Sequence, residues 1–167
     1  MKRLILIRHS KTEIIYDGIG DFERQLKSRG RTDAKLVASH LKRKGFIPQL
    51  IVSSFAVRAI QTAEVMSKVF NYPIEKIQKE SFLYDGFTTS EFIDFINNTD
   101  NSIDTVAVIG HNPEIALTGM NLTDKDFFHF PTTATVIIDY DVDNWKDIEV
   151  REGSTKHFVT PRNLKEV

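Results

Sequence analysis

The chain has 167 residues, no cysteine, and 22 Lys+Arg against 23 Asp+Glu, for a formal net charge of -1. That length fits one domain over residues 1–167 with a core of two or three layers. The charge balance gives no whole-surface argument for nucleic-acid or membrane binding, and the absence of thiols excludes disulfides, thiolate metal sites and cysteine nucleophiles.

The chain begins with the basic Met1-Lys2-Arg3 and the apolar run Leu4-Ile5-Leu6-Ile7, which is too short for a signal peptide and ends at the charged pair Arg8-His9. No other stretch approaches the roughly 20 apolar residues of a membrane span. The expectation is a soluble cytoplasmic protein with no membrane partner and no nucleic-acid partner. The first run predicts a buried strand. Ser28-Arg29-Gly30-Arg31 precedes a stretch predicted as helix to about Lys44, with Ala34, Val37, Ala38 and Leu41 on one face and Gly45 placed to end it. Residues 50–53 predict a strand, and 56–70 a helix with the stripe Ala59, Ala63, Met66 and Val69 and Pro73 just beyond. A short strand is expected at 74–77 and a helix at 90–98 with Phe92, Ile93, Phe95 and Ile96 inward. Residues 104–109 form the next strand. A helix follows to about Met120, with Asn112 as N-cap and Pro113 at its first position. Residues 133–140 and 145–150 are rich in β-branched and aromatic residues around a turn at 141–144, and predict an edge hairpin. Strands alternating with helices give an α/β class: three layers, a mostly parallel central sheet with helices on both faces, and an antiparallel C-terminal edge hairpin.

Two strands end in histidine. His9 follows Leu4–Ile7, and His111, within Gly110-His111-Asn112-Pro113, follows Val106-Ala107-Val108-Ile109. In a parallel sheet the carboxyl ends of the strands share one edge, where ligands bind, so the histidines are expected to meet. A lone histidine at a strand end is more often structural. Arg8 alters that balance, because a neighbouring guanidinium disfavours the imidazolium and its fork holds two phosphoryl oxygens. One ring nitrogen of His9 would attack while the other donates to an acceptor, most simply a backbone carbonyl. Arg58 falls in the first turn of its helix, an unfavourable place for a cation with respect to the dipole unless it serves a ligand. Arg24 lies in the loop after the first strand. Lys11 reads as a solvated charge, and Phe22, Phe55 and Phe87 as a rim or as core. Glu80 and Asp85 flank residues 81–84, and either could protonate a leaving group, although an acid in a loop is usually just exposed. His40, His129 and His157 have no partners at metal-ligand spacing, so no metal or cofactor is expected.

Four ordered segments together resemble the histidine phosphatase superfamily: Arg8-His9-Ser10-Lys11, residues 24–30, residues 53–64, and Gly110-His111-Asn112-Pro113. Within it the Arg-His-Ser-Lys start, the Gly-His-Asn-Pro form and Phe130-Pro131-Thr132-Thr133-Ala134 are most similar to the small SixA-type phosphohistidine phosphatases. The resemblance implies a phosphoglycerate-mutase-like fold, transient phosphorylation of His9, and Arg8, Arg58 and His111 around the phosphoryl group, with Arg24, Ser10 and Asn112 as substrate-binding residues. Gln25, Lys27 and Phe55 depart from the usual Pro, Thr and Pro. Asp85 aligns loosely with the acid-bearing segment.

The implied reaction is a metal-independent double displacement with His111 charged. Its substrate would be phosphohistidine in a protein, whose imidazole leaving group needs no strong acid. The alternatives are a small phosphate monoester as substrate, and a noncatalytic module that only recognises phosphate. No oligomeric state is implied.

Overall fold

The structure, a computed structural model, describes residues 1–14, 18–126 and 129–165. Its strands are β1 Lys2–Arg8, β2 Leu50–Ser54, β3 Gln78–Glu80, β4 Thr105–Gly110, β5 Thr135–Tyr140 and β6 Ser154–Val159. They form one sheet in the order β3-β2-β4-β1-β5-β6. The first four neighbours run parallel, β5 lies antiparallel to β1, and β6 antiparallel to β5, with a bulge between Ile137 and Ile138.

The unbroken apolar runs follow from burial of both faces of the central strands. Leu4 and Leu6 of β1, with Val106 and Val108 of β4, enter one core, while Ile5, Ile7, Ala107 and Ile109 enter the other. Burying each of the larger side chains contributes about 1.5–3 kcal/mol. The second core is covered by α1 Ser28–Arg43 and α2 Val57–Phe70, through Val37, Ala38, Leu41, Ala59, Ala63 and Met66. The first is covered by α4 Thr89–Asn97 and α5 Glu114–Thr123, through Phe92, Ile96, Ile115 and Leu122. Two short helices complete the chain order, α3 Phe82–Asp85 before α4 and α6 Pro161–Lys165 at the end. Gly45 ends α1 as expected. With φ +82° it lets its own N–H reach Lys42 O at 3.1 Å and that of Phe46 reach Leu41 O at 2.9 Å.

Three local expectations are corrected. Residues 74–77 form a 3-10 turn, Ile74–Lys76, and the edge strand begins only at Gln78. Ile74 and Ile77 are three apart, the spacing of one 3-10 turn, and Ile77 N–H donates to Ile74 O at 3.1 Å. The partner of β5 is β6, residues 154–159 rather than 145–150. Trp145 and Ile148 owe their apolar character to the core under α4. The Trp145 indole N–H donates to Ile103 O at 2.7 Å, and its carbonyl accepts from Asn97 at 2.6 Å. At the start of α5, Pro113 occupies the N-cap position, and the Asn112 amide N–H donates to Phe130 O at 2.8 Å. Among the described residues no helix is long and apolar enough to cross a membrane.

Gly30, in the first turn of α1, packs directly on the backbone of Lys11, whose carbonyl also accepts Lys27 N–H at 2.9 Å. A methyl group there would strike that carbonyl oxygen and displace the chain two residues after His9. Gly30→Ala is expected to lower unfolding free energy by about 1–3 kcal/mol, the cost of overpacking a closed contact, in a denaturant titration with unchanged m-value. An unchanged midpoint would contradict the packing described.

Candidate active site

The two histidines stand on adjacent parallel strands. Arg8 pairs with Gly110 across β1 and β4, and His9 N–H continues the ladder to Gly110 O at 3.0 Å. The rings consequently lie with centroids 5.2 Å apart and tilted by 52°. Both are nearly enclosed, His9 at 7% and His111 at 9% exposure.

His9 is oriented by its own neighbour, since its Nδ1 lies 2.8 Å from Ser10 O. A carbonyl only accepts, so Nδ1 carries the hydrogen and the lone pair resides on Nε2. Ser10 is in turn fixed from two sides: its N–H donates to Thr62 Oγ1 at 2.9 Å, and its hydroxyl bonds the Thr133 hydroxyl at 2.8 Å. Ser10 is fully buried with both groups engaged, so its place is beneath His9 as a support, not at the opening expected of a substrate contact. Thr133 is a β-branched residue at φ +65°, a conformation such residues rarely adopt. In that pose its N–H lies 3.1 Å from both the Arg8 and His9 carbonyls. Backbone strain has been placed where it holds the histidine strand end.

His111 Nε2 is 2.8 Å from Ser54 Oγ at the end of β2. Ser54 Oγ also accepts Ala56 N–H at 3.1 Å; with its own hydroxyl hydrogen turned to Nε2, the ring hydrogen sits on Nδ1. His111 thereby offers a donor while neutral.

Arg58 is 6% exposed. Its Nη1 donates to Asp21 O at 2.7 Å and its Nη2 to Asp21 Oδ2 at 3.1 Å. Arg24 donates to Asp21 Oδ1 at 2.8 Å and to Thr12 Oγ1 at 3.1 Å. Arg8 reaches Phe130 O at 3.3 Å, the carbonyl that Asn112 also contacts. The Nε of each of these three arginines is buried without a hydrogen-bond partner among the described residues, as is His111 Nδ1. A desolvated donor left unpaired is costly, and four around one histidine pair fit a tetrahedral oxyanion.

The electrostatics keep both rings neutral. Burial, opposed by the Ser10 carbonyl and reinforced by His111, Arg58 and Arg8, lowers His9 to about 3. Burial and then Arg58 lower His111 to about 4, with Asp21 opposing. His111 is therefore neutral in the ligand-free protein, whereas the charged form expected from the sequence concerns the phosphoryl-bound state.

Of the acids singled out in the sequence, Asp85 is exposed at the end of α3, and Glu80 accepts from Gln78 Nε2 at 2.8 Å on the edge strand. The side chain that α3 brings to the histidines is Tyr84, whose ring meets His111 edge-on at 5.7 Å and lies under the Arg58 guanidinium at 5.9 Å. Phe22 packs on Tyr84 at 5.2 Å and is 41% exposed, and Phe55 is 42% exposed. Phe87 turns instead to Phe82 and Phe92. Asp21, Ser54, Thr133 and Tyr84 were not singled out from the sequence. Asp21 stood three residues before Arg24, and Thr133 within the quoted Phe130–Ala134 segment.

Residues 4–80 match the histidine phosphatase superfamily (branch 1). A chloroplastic protein of uncharacterized function from Arabidopsis thaliana is 31% identical over 118 residues, covering 66% of this chain and 54% of that protein. The chain thus spans about half the length of that curated relative. Among solved structures, the putative phosphohistidine phosphatase SixA from Agrobacterium tumefaciens superposes with a TM-score of 0.81 at 24% identity, over 96% of this chain and 98% of that one. A protein histidine phosphatase SixA complexed with tungstate superposes at 0.83 with 21% identity, over 97% and 99%. These superpositions establish the fold as that of the phosphoglycerate-mutase-like class. In the stretch from β1 to β3 the chain is also similar in sequence to the histidine phosphatase superfamily.

Because the unfolded chain takes up these two protons near pH 6.5 and the folded chain only near 4 and 3, the unfolded state binds more protons in between. Stability is retained above pH 6.5 and lost progressively as pH falls towards 3. Imidazole NMR titration of the free protein should show His9 and His111 neutral from pH 8 down to 5. Protonation of either near 6.5 would contradict the buried, cation-flanked geometry.

Proposed function

We propose that the protein is a phosphatase acting through a phosphohistidine intermediate on His9, with phosphohistidine in a protein as its substrate. The observation that carries this reading is the tautomer of His9. Its Nδ1–H is held by Ser10 O, which leaves the lone pair on Nε2, on a ring that feels Arg8, Arg58 and His111, each with a buried nitrogen left unpartnered among the described residues.

The neutral Nε2 attacks phosphorus in line, and the bond from phosphorus to the leaving atom breaks with its electron pair. Water then attacks phospho-His9, the P–Nε2 bond breaks with its pair returning to Nε2, and inorganic phosphate departs. Charge on the equatorial oxygens is met by the three guanidinium groups and by the neutral His111 Nδ1–H, donors fixed in place before reaction. These cations supply the stabilisation without calling on a metal. A phosphodianion bound there would raise the proton affinity of His111 and strengthen its donation.

The preference for phosphohistidine rests on the leaving-group side. There α3 presents Tyr84 to the histidines, while Asp85 is exposed and Glu80 is bonded to Gln78. An alkoxide needs a proton donor as it leaves, whereas an imidazole protonated on its other nitrogen leaves neutral. Partly exposed Phe22 and Phe55 are compatible with an opening for a protein-borne side chain. The tungstate complex of a structurally similar SixA protein adds the shape of the anion, a tetrahedral oxyanion. In the cytoplasm, the expected compartment, phosphorylated proteins would be available to it.

Phosphate release should be faster from a phosphohistidine-bearing protein than from an aryl phosphoester. It should persist in a metal chelator and fall by about a thousandfold or more in His9→Ala, as loss of a nucleophile demands. Faster phosphoester turnover would move the substrate to small phosphate monoesters. Silence on both, with phosphate binding that survives His9→Ala, would leave a noncatalytic phosphate-recognition module.

A further inference from the structure

One carboxylate stands among the cations of the site. Asp21 opens the 3-10 turn Asp21–Glu23, and its side chain binds three groups from three parts of the chain. Oδ1 accepts from Arg24 Nη2 at 2.8 Å, while Oδ2 accepts from Arg58 Nη2 at 3.1 Å and from the Tyr84 hydroxyl at 3.0 Å. Its main-chain oxygen takes the other Arg58 terminal nitrogen at 2.7 Å. Both terminal nitrogens of Arg58 are therefore directed at this one residue, and only its Nε is left without a partner. Burial works against the Asp21 charge. The Tyr84 bond, the charge of Arg58 and the bonds from Arg24 and Arg58 nevertheless hold the carboxyl below its ordinary value. Asp21 is thus ionised at neutral pH and has no proton to give to a leaving group.

Two consequences follow for an anion bound beside it. Arg8, Arg24 and Arg58 carry three positive charges, and with both histidines neutral the Asp21 carboxylate reduces the local sum to two, the magnitude of a phosphoryl dianion. A site left with all three charges uncompensated would hold inorganic phosphate, its own product, more tightly. The same carboxylate fixes the Arg58 fork, so the guanidinium meets the phosphoryl group with its Nε edge already oriented, at little cost in side-chain entropy.

Resting on the phosphatase reading above, we propose that Asp21 is a positioning residue that acts through Arg58 and Arg24 as the internal counter-ion of the phosphoryl site, setting how tightly phosphate is held and how readily it leaves. Tyr84 belongs to the same device, since its hydroxyl ties the carboxylate to α3 while its ring rests against His111.

The test is Asp21→Asn in the full chain. It keeps a side-chain acceptor and the main-chain oxygen on Arg58 but removes the charge, and the half-exposed position tolerates an amide. Dissociation constants for inorganic phosphate should be measured by calorimetry at fixed ionic strength, beside KM and kcat on a phosphohistidine protein. The account expects phosphate to bind about three- to tenfold more tightly in Asp21→Asn, the scale of removing one nearby charge of opposite sign. KM should fall in parallel, and kcat should fall through slower product release. Unchanged or weaker phosphate binding would overturn the proposal and leave Asp21 as a prop for Arg58. Wild-type protein that binds phosphate without turning over any phosphohistidine would sink the catalytic reading, while the two dissociation constants would still decide the role of Asp21. Wild-type protein that binds no phosphate would overturn both.

Discussion

The site depends on one ladder contact. Because β1 and β4 are parallel neighbours with Arg8 opposite Gly110, and His9 N–H extends the pairing to Gly110 O, two histidines 102 positions apart emerge from the sheet side by side. Shifting the register by one residue would turn one imidazole to the opposite face. Register is guarded by the two cores, since Leu4 and Leu6 fit one and Ile5 and Ile7 the other. The packing that stabilises the domain therefore also sets the distance between the rings.

Around that contact the chain builds supports, each hiding a polar group that would otherwise compete for the ligand. Ser10 lies under His9 between Thr62 and Thr133. Thr133 accepts a left-handed backbone to cap the Arg8 and His9 carbonyls. Ser54 takes one nitrogen of His111, and Asp21 takes both terminal nitrogens of Arg58. What remains unpaired there among the described residues is mostly nitrogen, three arginine Nε groups and His111 Nδ1, together with one acceptor, Asn112 Oδ1. Burial makes the same site hold its histidines neutral, a state that suits a nitrogen nucleophile and is maintained without a carboxylate behind the ring.

The class, the parallel centre and the meeting of His9 with His111 were legible in the sequence, because strand ends in such a sheet share an edge and Leu4–Ile7 and Val106–Ile109 announce burial on both faces. The backbone acceptor for His9 was foreseen in kind, and the structure supplies it as Ser10 O. Side-chain direction was not legible. Nothing local distinguishes Ser10 facing inward from Ser10 facing a ligand, or Asp21 on Arg58 from a solvated loop acid, since both outcomes are set by residues between 37 and 123 positions away. Trp145 and Ile148 read as strand because aromatic and aliphatic residues signal burial before they signal geometry, and here they fill the core beneath α4.

The central claim is that His9 Nε2 carries the phosphoryl group in turnover. The most direct measurement is to mix the protein with a phosphohistidine-bearing protein, quench in alkali within a turnover, and locate phosphate on its own peptides by mass spectrometry. The account predicts acid-labile, alkali-stable phosphate on His9 that reaches a steady level and decays as inorganic phosphate appears. Phosphate release at full rate with no phosphate ever found on His9 would contradict it.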